Sequence, residues 1–273
     1  MLKRILTAGF LLPLILLILW IGKVTLLVTI ILFFIIIIYE IYFMVRNIGL
    51  EINKIIYSLW ALFTLLYAYF SQNVAWQYRI EAFGILVFSG LVLLFMSSMY
   101  KPRTFNLKII FMPIIVIVGL TLCFSHLFFF DQVIWDEGRK WVYLVLLSVI
   151  ANDTASMFIG KLIGKHKLFP QVSPNKTWEG LFGGVLFAIF TCFLLNIILS
   201  INLSILQISF FSLIVTFCAH FGDFLESLLK RKTKVKDSGN ILPGHGGILD
   251  RIDSIALNIP VTYYFFIFWG IGD

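Results

Sequence analysis

The chain has 273 residues, of which 60% are hydrophobic and 13% are charged, and its mean hydropathy is +1.00. Soluble domains average roughly 45–50% apolar and about 25% charged residues. The composition therefore indicates a polytopic membrane protein and excludes a soluble enzyme, a secreted disulfide scaffold and a disordered chain.

Nine apolar segments follow one another along the chain, each long enough for a membrane-spanning helix. A span needs about 20 apolar residues, and in lipid the backbone must satisfy its own hydrogen bonds. The sequence therefore predicts an all-α, polytopic membrane bundle with about nine transmembrane helices. Only Gly22 and Lys23 separate the first two segments, which predicts a tight helical hairpin. The segments lie at residues 5–22, 24–40, 55–71, 82–99, 109–130, 141–160, 181–200, 205–228 and 254–271.

The positive charges predict the orientation of these helices. With the N-terminus in the cytoplasm, 17 of the 21 Lys and Arg residues fall in cytoplasmic segments and 4 on the other side. Because cytoplasmic loops carry the excess of Lys and Arg, we expect a cytoplasmic N-terminus. The apolar run after Lys3 and Arg4 lacks a small-residue cleavage site and is expected to remain as the first helix. The expected regions are 1–130 with five spans, and 131–273 with four spans and the cytoplasmic loops 161–180 and 227–253.

Ionisable groups within the predicted spans are costly and mark functional sites by default. Asp153 lies in the sixth segment, and Asp223 and Glu226 lie near the cytoplasmic end of the eighth. Asp223 and Glu226 are three residues apart and share a helix face. Pairing with Lys or Arg to lock the bundle is the structural alternative. Three carboxylates at similar depth near one surface favour a functional site.

The loop 227–253 is the densest polar stretch and has the composition of a polyphosphate site. Lys and Arg neutralise phosphate oxygens, and glycines let backbone N–H groups approach an anion. Two aspartates three residues apart offer the hard oxygen ligands that Mg²⁺ prefers. The residues concerned are Lys230, Arg231, Lys236, Asp237, Gly244, His245, Gly246, Gly247, Asp250, Arg251 and Asp253.

The loop 161–180 is expected on the same face of the membrane. Ser173 is a candidate N-cap of the seventh helix, with Pro174 at its first position. That structural interpretation leaves Lys176 and Thr177 unexplained. A helix N-terminus that carries a lysine and hydroxyl groups is suited to bind phosphate.

The stretch from Ser227 to Asp253 resembles the signature of the phosphatidate cytidylyltransferases, also called CDP-diacylglycerol synthases. Its matching elements include Lys-Asp at 236–237, Leu-Pro-x-His-Gly-Gly at 242–247 and Asp-Arg-Ile-Asp at 250–253. The stretch 173–180 and Asn-Asp-Thr at 152–154, followed by Gly-Lys at 160–161, resemble two further family motifs. The resemblance covers residues 141–270. The departures are Asn175 in place of Lys, Ser156 in place of Ala, and Met157 in place of an aromatic residue.

The resemblance implies that CMP passes from CTP to phosphatidic acid, with release of pyrophosphate, at a site facing the cytoplasm. It implies Mg²⁺, with a second cation left open, and a homodimer in the lipid bilayer; no nucleic-acid partner is expected. Asp223 and Asp250 are the implied metal pair, with Asp253 and Asp153 as further ligands. The implied catalytic residues are Asp223, Asp250, Lys236, Asp237, His245 and Arg251. The implied nucleotide-binding residues are Ser173, Lys176, Thr177, Lys230, Arg231, Gly246 and Gly247.

Some roles stay open at this point. His245 is either a proton donor or a residue whose hydrogen bond stabilises the turn. A CTP-dependent lipid kinase of the polyprenol type is the nearest alternative enzyme, and a transporter is an alternative of another class. The complete signature favours the cytidylyltransferase over the kinase. The polar residues cluster at one face rather than lining a path between the two faces, which argues against a transporter.

Overall fold

The computed structural model describes residues 2–71, 76–99, 107–130, 135–242 and 246–269. Ten helices and one two-stranded sheet make up these residues. The helices are α1 (Leu2–Ile21), α2 (Lys23–Arg46), α3 (Lys54–Phe70), α4 (Trp76–Met99), α5 (Leu107–Phe129), α6 (Trp135–Ile163), α7 (Trp178–Ile198), α8 (Ile205–Lys232), α9 (Leu249–Ala256) and α10 (Asn258–Phe268). The strands are β1 (Lys167–Phe169) and β2 (Ser173–Thr177).

The predicted helical character is confirmed, and the described helices are consistent with a membrane bundle. Within the described ranges, six helices are long and apolar enough to cross a membrane, and they come from α2, α4, α5, α6, α7 and α8. Two shorter apolar helices cover Leu11–Ile21 and Lys54–Phe70. The predicted break between the first two helices falls at Gly22, which has φ 130° and ψ −170°.

The chain forms two compact units. The first comprises Met1–Gln132 with Leu229–Arg251, and the second comprises Val133–Leu228 with Ile252–Asp273. Two of the three boundaries between the units therefore fall within α8 and α9.

In the first unit, α2 packs against α3 and α5. Its inner face buries Ile37, Ile38 and Ile41, each at most 1% exposed. Phe34 of α2 meets Phe124 of α5 edge to face, with ring centroids 5.7 Å apart. This apolar packing fixes α2, the helix that carries Glu40.

In the second unit, α6 and α7 pack closely because α7 has glycines where it contacts α6. A Cβ atom at Gly184 would collide with the side-chain oxygens of Ser156 and Asn152. At Gly183, it would collide with the side chain of Ile159. Small residues permit this approach of two helices in lipid.

The loop 161–180 differs from its prediction. Ser173 does not cap the seventh helix, and Pro174 is not in that helix; both lie in β2, which pairs antiparallel with β1. Thr177 is the N-cap of α7, since its hydroxyl accepts the Gly180 N–H at 3.1 Å. Threonine is a good N-cap residue, so the helix starts at Trp178. The small sheet is also an exception to the all-α prediction.

The ninth predicted segment, 254–271, is not one continuous helix. A turn at Leu257 separates α9 from α10. Pro260 is the third residue of α10, and proline lacks the N–H that would bond to the Ala256 carbonyl four residues earlier. The helix is therefore interrupted one turn before Pro260.

Candidate functional site

The second unit brings three carboxylates together. Asp223 and Glu226 lie on α8, and Asp253 lies on α9. One oxygen atom from each residue lies within 4.8 Å of the other two, and Glu226 is buried. We call Asp223, Glu226 and Asp253 the carboxylate cluster. Gly222 permits this approach, since a Cβ atom there would collide with the Asp253 carbonyl oxygen.

A lysine and a fourth carboxylate adjoin the carboxylate cluster. Lys176, from β2, forms an ion pair with Asp223. Asp153, on α6, lies close enough to interact electrostatically with both Lys176 and Asp223. Its Oδ1 accepts the Asn152 side-chain N–H at 3.0 Å. The structure thus groups four residues that the sequence selected from four separate segments, namely Asp153, Lys176, Asp223 and Asp253.

The electrostatics of the carboxylate cluster favour a bound cation. Burial, followed by the negative charge of Asp223, raises the pKa of the Asp253 carboxyl well above its usual range. Its Oδ1 nevertheless accepts the Ser254 N–H at 2.7 Å. A cation among these oxygens would offset the repulsion and keep the carboxylates ionised. Carboxylate oxygens are the ligands that Mg²⁺ prefers, so these residues fit a magnesium site.

Asp250 organises the polar loop of the first unit. We call the described residues 236–242 and 246–248, between α8 and α9, the signature loop. Oδ2 of Asp250 accepts the backbone N–H groups of Ser238 at 3.0 Å and of Gly247 at 2.8 Å. The Ser238 hydroxyl lies 3.0 Å from the same oxygen, and Lys230 Nζ donates to Oδ1 at 2.8 Å. The Asp250 side chain is 7% exposed, so the signature loop is wrapped around it.

Glycines in the signature loop make room for this carboxylate. Gly246 has φ +80°, and a Cβ atom there would collide with Oδ2 of Asp250. The Gly247 N–H is donated to Asp250 in this structure. A role for that N–H in binding an anion therefore stays a prediction. Gly244 and His245 lie outside the described residues, and their predicted roles stay predictions.

Two residues of this region were missed by the sequence analysis. Glu40, on α2, is 4% exposed and accepts the N–H groups of Ile248 at 2.8 Å and Leu249 at 3.0 Å. It also accepts the Ser238 hydroxyl at 3.1 Å. Glu40 stands inside an apolar segment, and this is the signal that selected Asp153. No motif would have selected Ser238.

The remaining predicted residues divide between the two units. In the first unit, four of them are exposed, namely Arg231, Lys236, Asp237 and Arg251. In the second, Ser173 lies in β2, and the hydroxyl of buried Thr177 caps α7. The phosphate-binding role predicted for Thr177 is therefore additional to a structural one.

The long apolar helices indicate an integral membrane protein, and each unit carries a carboxylate paired with a lysine, Asp250 with Lys230 in the first and Asp223 with Lys176 in the second. Residues 2–269 match the sequence profile of the cytidylyltransferase family. The chain belongs to this family.

Several bacterial proteins named phosphatidate cytidylyltransferase are similar to this chain. The phosphatidate cytidylyltransferase of Bacillus subtilis is 34% identical over 185 residues, which are 68% of this chain and 68% of that protein. The protein of the same name from Staphylococcus epidermidis is 33% identical over 186 residues, 68% of this chain and 69% of the relative. A third, from Staphylococcus aureus strain COL, is 39% identical over 137 residues, 50% of this chain and 52% of the relative.

Proposed function

We propose that this protein transfers CMP from CTP to phosphatidic acid and so forms CDP-diacylglycerol and pyrophosphate. The observation that carries the proposal is the signature loop, built around the buried Asp250 carboxylate, in a chain of the cytidylyltransferase family. The relatives named phosphatidate cytidylyltransferase support the same reaction. A lipid phosphate at the membrane surface and a soluble nucleotide suit a membrane protein whose cations lie near the ends of apolar helices and in the segments between them.

The chemistry follows from the charges of the two substrates. A phosphate oxygen of phosphatidic acid attacks the α-phosphorus of CTP, and the bond from that phosphorus to the bridging oxygen of the β-phosphate breaks. The attacking oxygen is already an anion, so no strong general base is required. The main barrier is the approach of one anion to another. Exposed Arg231, Lys236 and Arg251 would lower this barrier at the triphosphate and the leaving pyrophosphate.

The carboxylate cluster is our candidate for holding Mg²⁺ through Asp223, Glu226 and Asp253, with Asp153 nearby. When bound, Mg²⁺ supplies positive charge that offsets the charge of phosphate oxygens. Lys176 and Lys230 are paired with carboxylates and would also serve phosphate oxygens. The assignment of Asp250 to the metal, and of a second cation, rests on the family resemblance and stays a prediction.

The arrangement in the membrane is part of the proposal. Nine spans, a cytoplasmic N-terminus and an active site facing the cytoplasm are supported by the 17 to 4 distribution of Lys and Arg. We assign the groups that contact substrate to residues 131–273 and the first five spans to residues 1–130. A homodimer is expected from the family resemblance.

A labelling assay tests the reaction. Purified protein is incubated with phosphatidic acid, Mg²⁺ and CTP labelled at either the α- or the γ-phosphate. We expect α-label in the lipid and γ-label in pyrophosphate. Transfer of γ-label to the lipid, with release of CDP, would show a CTP-dependent lipid kinase instead.

An isosteric substitution tests the signature loop. Asp250→Asn places an amide N–H₂ among groups that donate hydrogen bonds, so the signature loop loses an acceptor and we expect turnover to fall at least about 100-fold. Glu137→Gln is the matched control, since Glu137 forms an exposed pair with Lys140. Near-normal turnover of the Asp250 variant would contradict the role of the signature loop.

A further inference from the structure

Glu40 stands out because the proposed reaction gives it no role. It lies on α2 and is only 4% exposed. Although it is in the apolar interior of the first unit, its partners are polar groups. A buried carboxylate is costly unless hydrogen bonds satisfy it. Three donors do so here: the N–H groups of Ile248 and Leu249 and the hydroxyl of Ser238.

These donors belong to the signature loop and to the beginning of α9. Leu249 is the first residue of α9, and the first N–H groups of a helix have no partner within it. Glu40 supplies those partners, and its negative charge suits the positive end of the helix dipole. A residue about 200 positions away in the sequence therefore caps the helix that carries Asp250.

Ser238 links Glu40 to Asp250. Its backbone N–H donates to Oδ2 of Asp250 at 3.0 Å, while its hydroxyl lies 3.1 Å from Glu40 Oε2 and 3.0 Å from Oδ2 of Asp250. The hydroxyl has one proton, and the backbone N–H already serves Asp250. The hydroxyl therefore donates to Glu40 or to Asp250 at any one time, and Ser238 contacts both carboxylates.

Two glycines of the signature loop admit the Glu40 side chain. A Cβ atom at Gly239 would lie 2.8 Å from Oε1 of Glu40. At Gly247, it would lie 2.5 Å from the same oxygen and would collide with the Ser238 hydroxyl. A contact below 3.0 Å forces one of the two groups to shift, so an alanine at either position would push the Glu40 carboxylate away from its donors. Gly239 and Gly247 thus have a structural role, which is to leave space for the Glu40 side chain, in addition to any contact with substrate.

We propose that Glu40 is a positioning residue for catalysis: it holds the signature loop and the beginning of α9 so that Asp250 keeps its place. Glu40 acts through Ser238 and the backbone of Ile248 and Leu249, and it is not assigned to substrate. The inference rests on the proposed function, because the reaction defines what Asp250 must do.

Glu40→Gln is the informative variant. Each carboxylate oxygen of Glu40 accepts a backbone N–H, so the amide N–H₂ of glutamine would face a donor in either orientation. Size and helix propensity are almost unchanged. We expect kcat to fall about 10- to 100-fold, the change that corresponds to losing a hydrogen bond to a charged group. KM for phosphatidic acid should change less than threefold, roughly, because Glu40 contacts the signature loop and no group that is assigned to phosphatidic acid.

Hydrogen exchange of the backbone gives a readout that is independent of activity. In the Glu40→Gln protein, peptides covering residues 238–249 should exchange at least about 10-fold faster, since a capped N–H loses its acceptor. Peptides from α3 and α5 should not change. Tyr57→Phe is the matched control: it removes the buried 2.8 Å hydrogen bond to Ser98 in the same unit, and should leave both kcat and exchange of residues 238–249 unchanged.

The outcomes separate this inference from the proposed function. Faster exchange together with a lower kcat supports positioning by Glu40. Normal kcat in Glu40→Gln, or unchanged exchange at residues 238–249, overturns it. An equal fall of kcat in Tyr57→Phe also overturns it, because the loss would then follow from general destabilisation. A wild-type protein that fails the CTP labelling assay refutes the proposed function, and the exchange measurement still decides whether Glu40 holds the signature loop.

Discussion

At the scale of single residues, carboxylates with different surroundings have different tasks. Asp250 and Glu40 accept hydrogen bonds from backbone N–H groups and a serine, so they shape a loop. The carboxylate cluster instead gathers oxygens within 4.8 Å of one another. Like charges at that distance need a counter-charge. Lys176 supplies one at Asp223, and the proposed Mg²⁺ would supply one for Glu226 and Asp253.

Glu226 offers a test of the carboxylate cluster. It is the member that the family resemblance did not assign to a metal, and it is buried beside Asp223 and Asp253. Glu226→Gln removes one negative ligand, so half-maximal activity should require about 10-fold more Mg²⁺, equivalent to roughly 1.4 kcal/mol of binding free energy.

The rise in melting temperature produced by Mg²⁺ gives a second readout for Glu226→Gln, and it should shrink relative to wild type. Glu179→Gln is the control, because Glu179 pairs with His166 instead. An unchanged Mg²⁺ requirement together with an unchanged thermal shift would remove Glu226 from the metal site.

Some residues of these sites could be predicted from the sequence, and others could not. Asp153 and Asp223 could be selected because charges in apolar segments are rare. Glu40 carries the same signal, but its partners are 198 to 209 positions away in sequence. Contacts over that separation are set by packing of helices, which periodicity does not encode. Without its partners, Glu40 has no identifiable task.

At the scale of elements, helices follow from hydrophobicity and their ends follow from local chemistry. Long apolar runs predicted α1 to α8, because lipid leaves the backbone few alternatives. The predicted limits of two helices were wrong, each for a specific reason. Thr177 rather than Ser173 accepts the capping N–H of α7, and Pro260 interrupts the ninth segment. Both Ser173 and Thr177 are acceptable caps by type, so the choice depended on the β1–β2 pairing.

The contact between α6 and α7 makes a prediction at this scale. Gly184→Ala would place a Cβ atom against the side-chain oxygens of Ser156 and Asn152. Overpacking of a tight contact costs about 1–3 kcal/mol, so the melting temperature in detergent should fall by several degrees, roughly 2–8 °C.

Gly119→Ala on α5 is the matched control for Gly184→Ala. Among the described residues, nothing lies within 4 Å of a Cβ atom added at Gly119. Alanine also favours helix over glycine, so this variant should melt at or slightly above the wild-type temperature. Equal behaviour of the two variants would mean that α6 and α7 do not depend on the glycine contact.

At the scale of the whole molecule, scarce charge is the organising feature. Only 13% of residues are charged, and 17 of 21 Lys and Arg fall in segments assigned to the cytoplasm. A cytidylyltransferase must meet a soluble nucleotide and a lipid phosphate. Loops rich in cations on one side of apolar helices would serve both substrates, since the cations attract anions and the helices remain in lipid. The orientation thus links composition to the proposed reaction.

Accessibility of introduced cysteines tests this orientation. Lys165, after α6, and Ser204, before α8, are both exposed and lie at opposite ends of α7, a helix long enough to cross the membrane. With Cys123, Cys192 and Cys218 replaced by alanine, Lys165→Cys and Ser204→Cys are treated with a membrane-impermeant maleimide in intact cells. Ser204→Cys should react, while Lys165→Cys should react only after the cells are broken, because the positive-inside distribution places the 161–180 loop in the cytoplasm. The reverse pattern would invert the orientation and place the cationic loops away from cytoplasmic CTP, and labelling of both in intact cells would mean that α7 does not span the membrane.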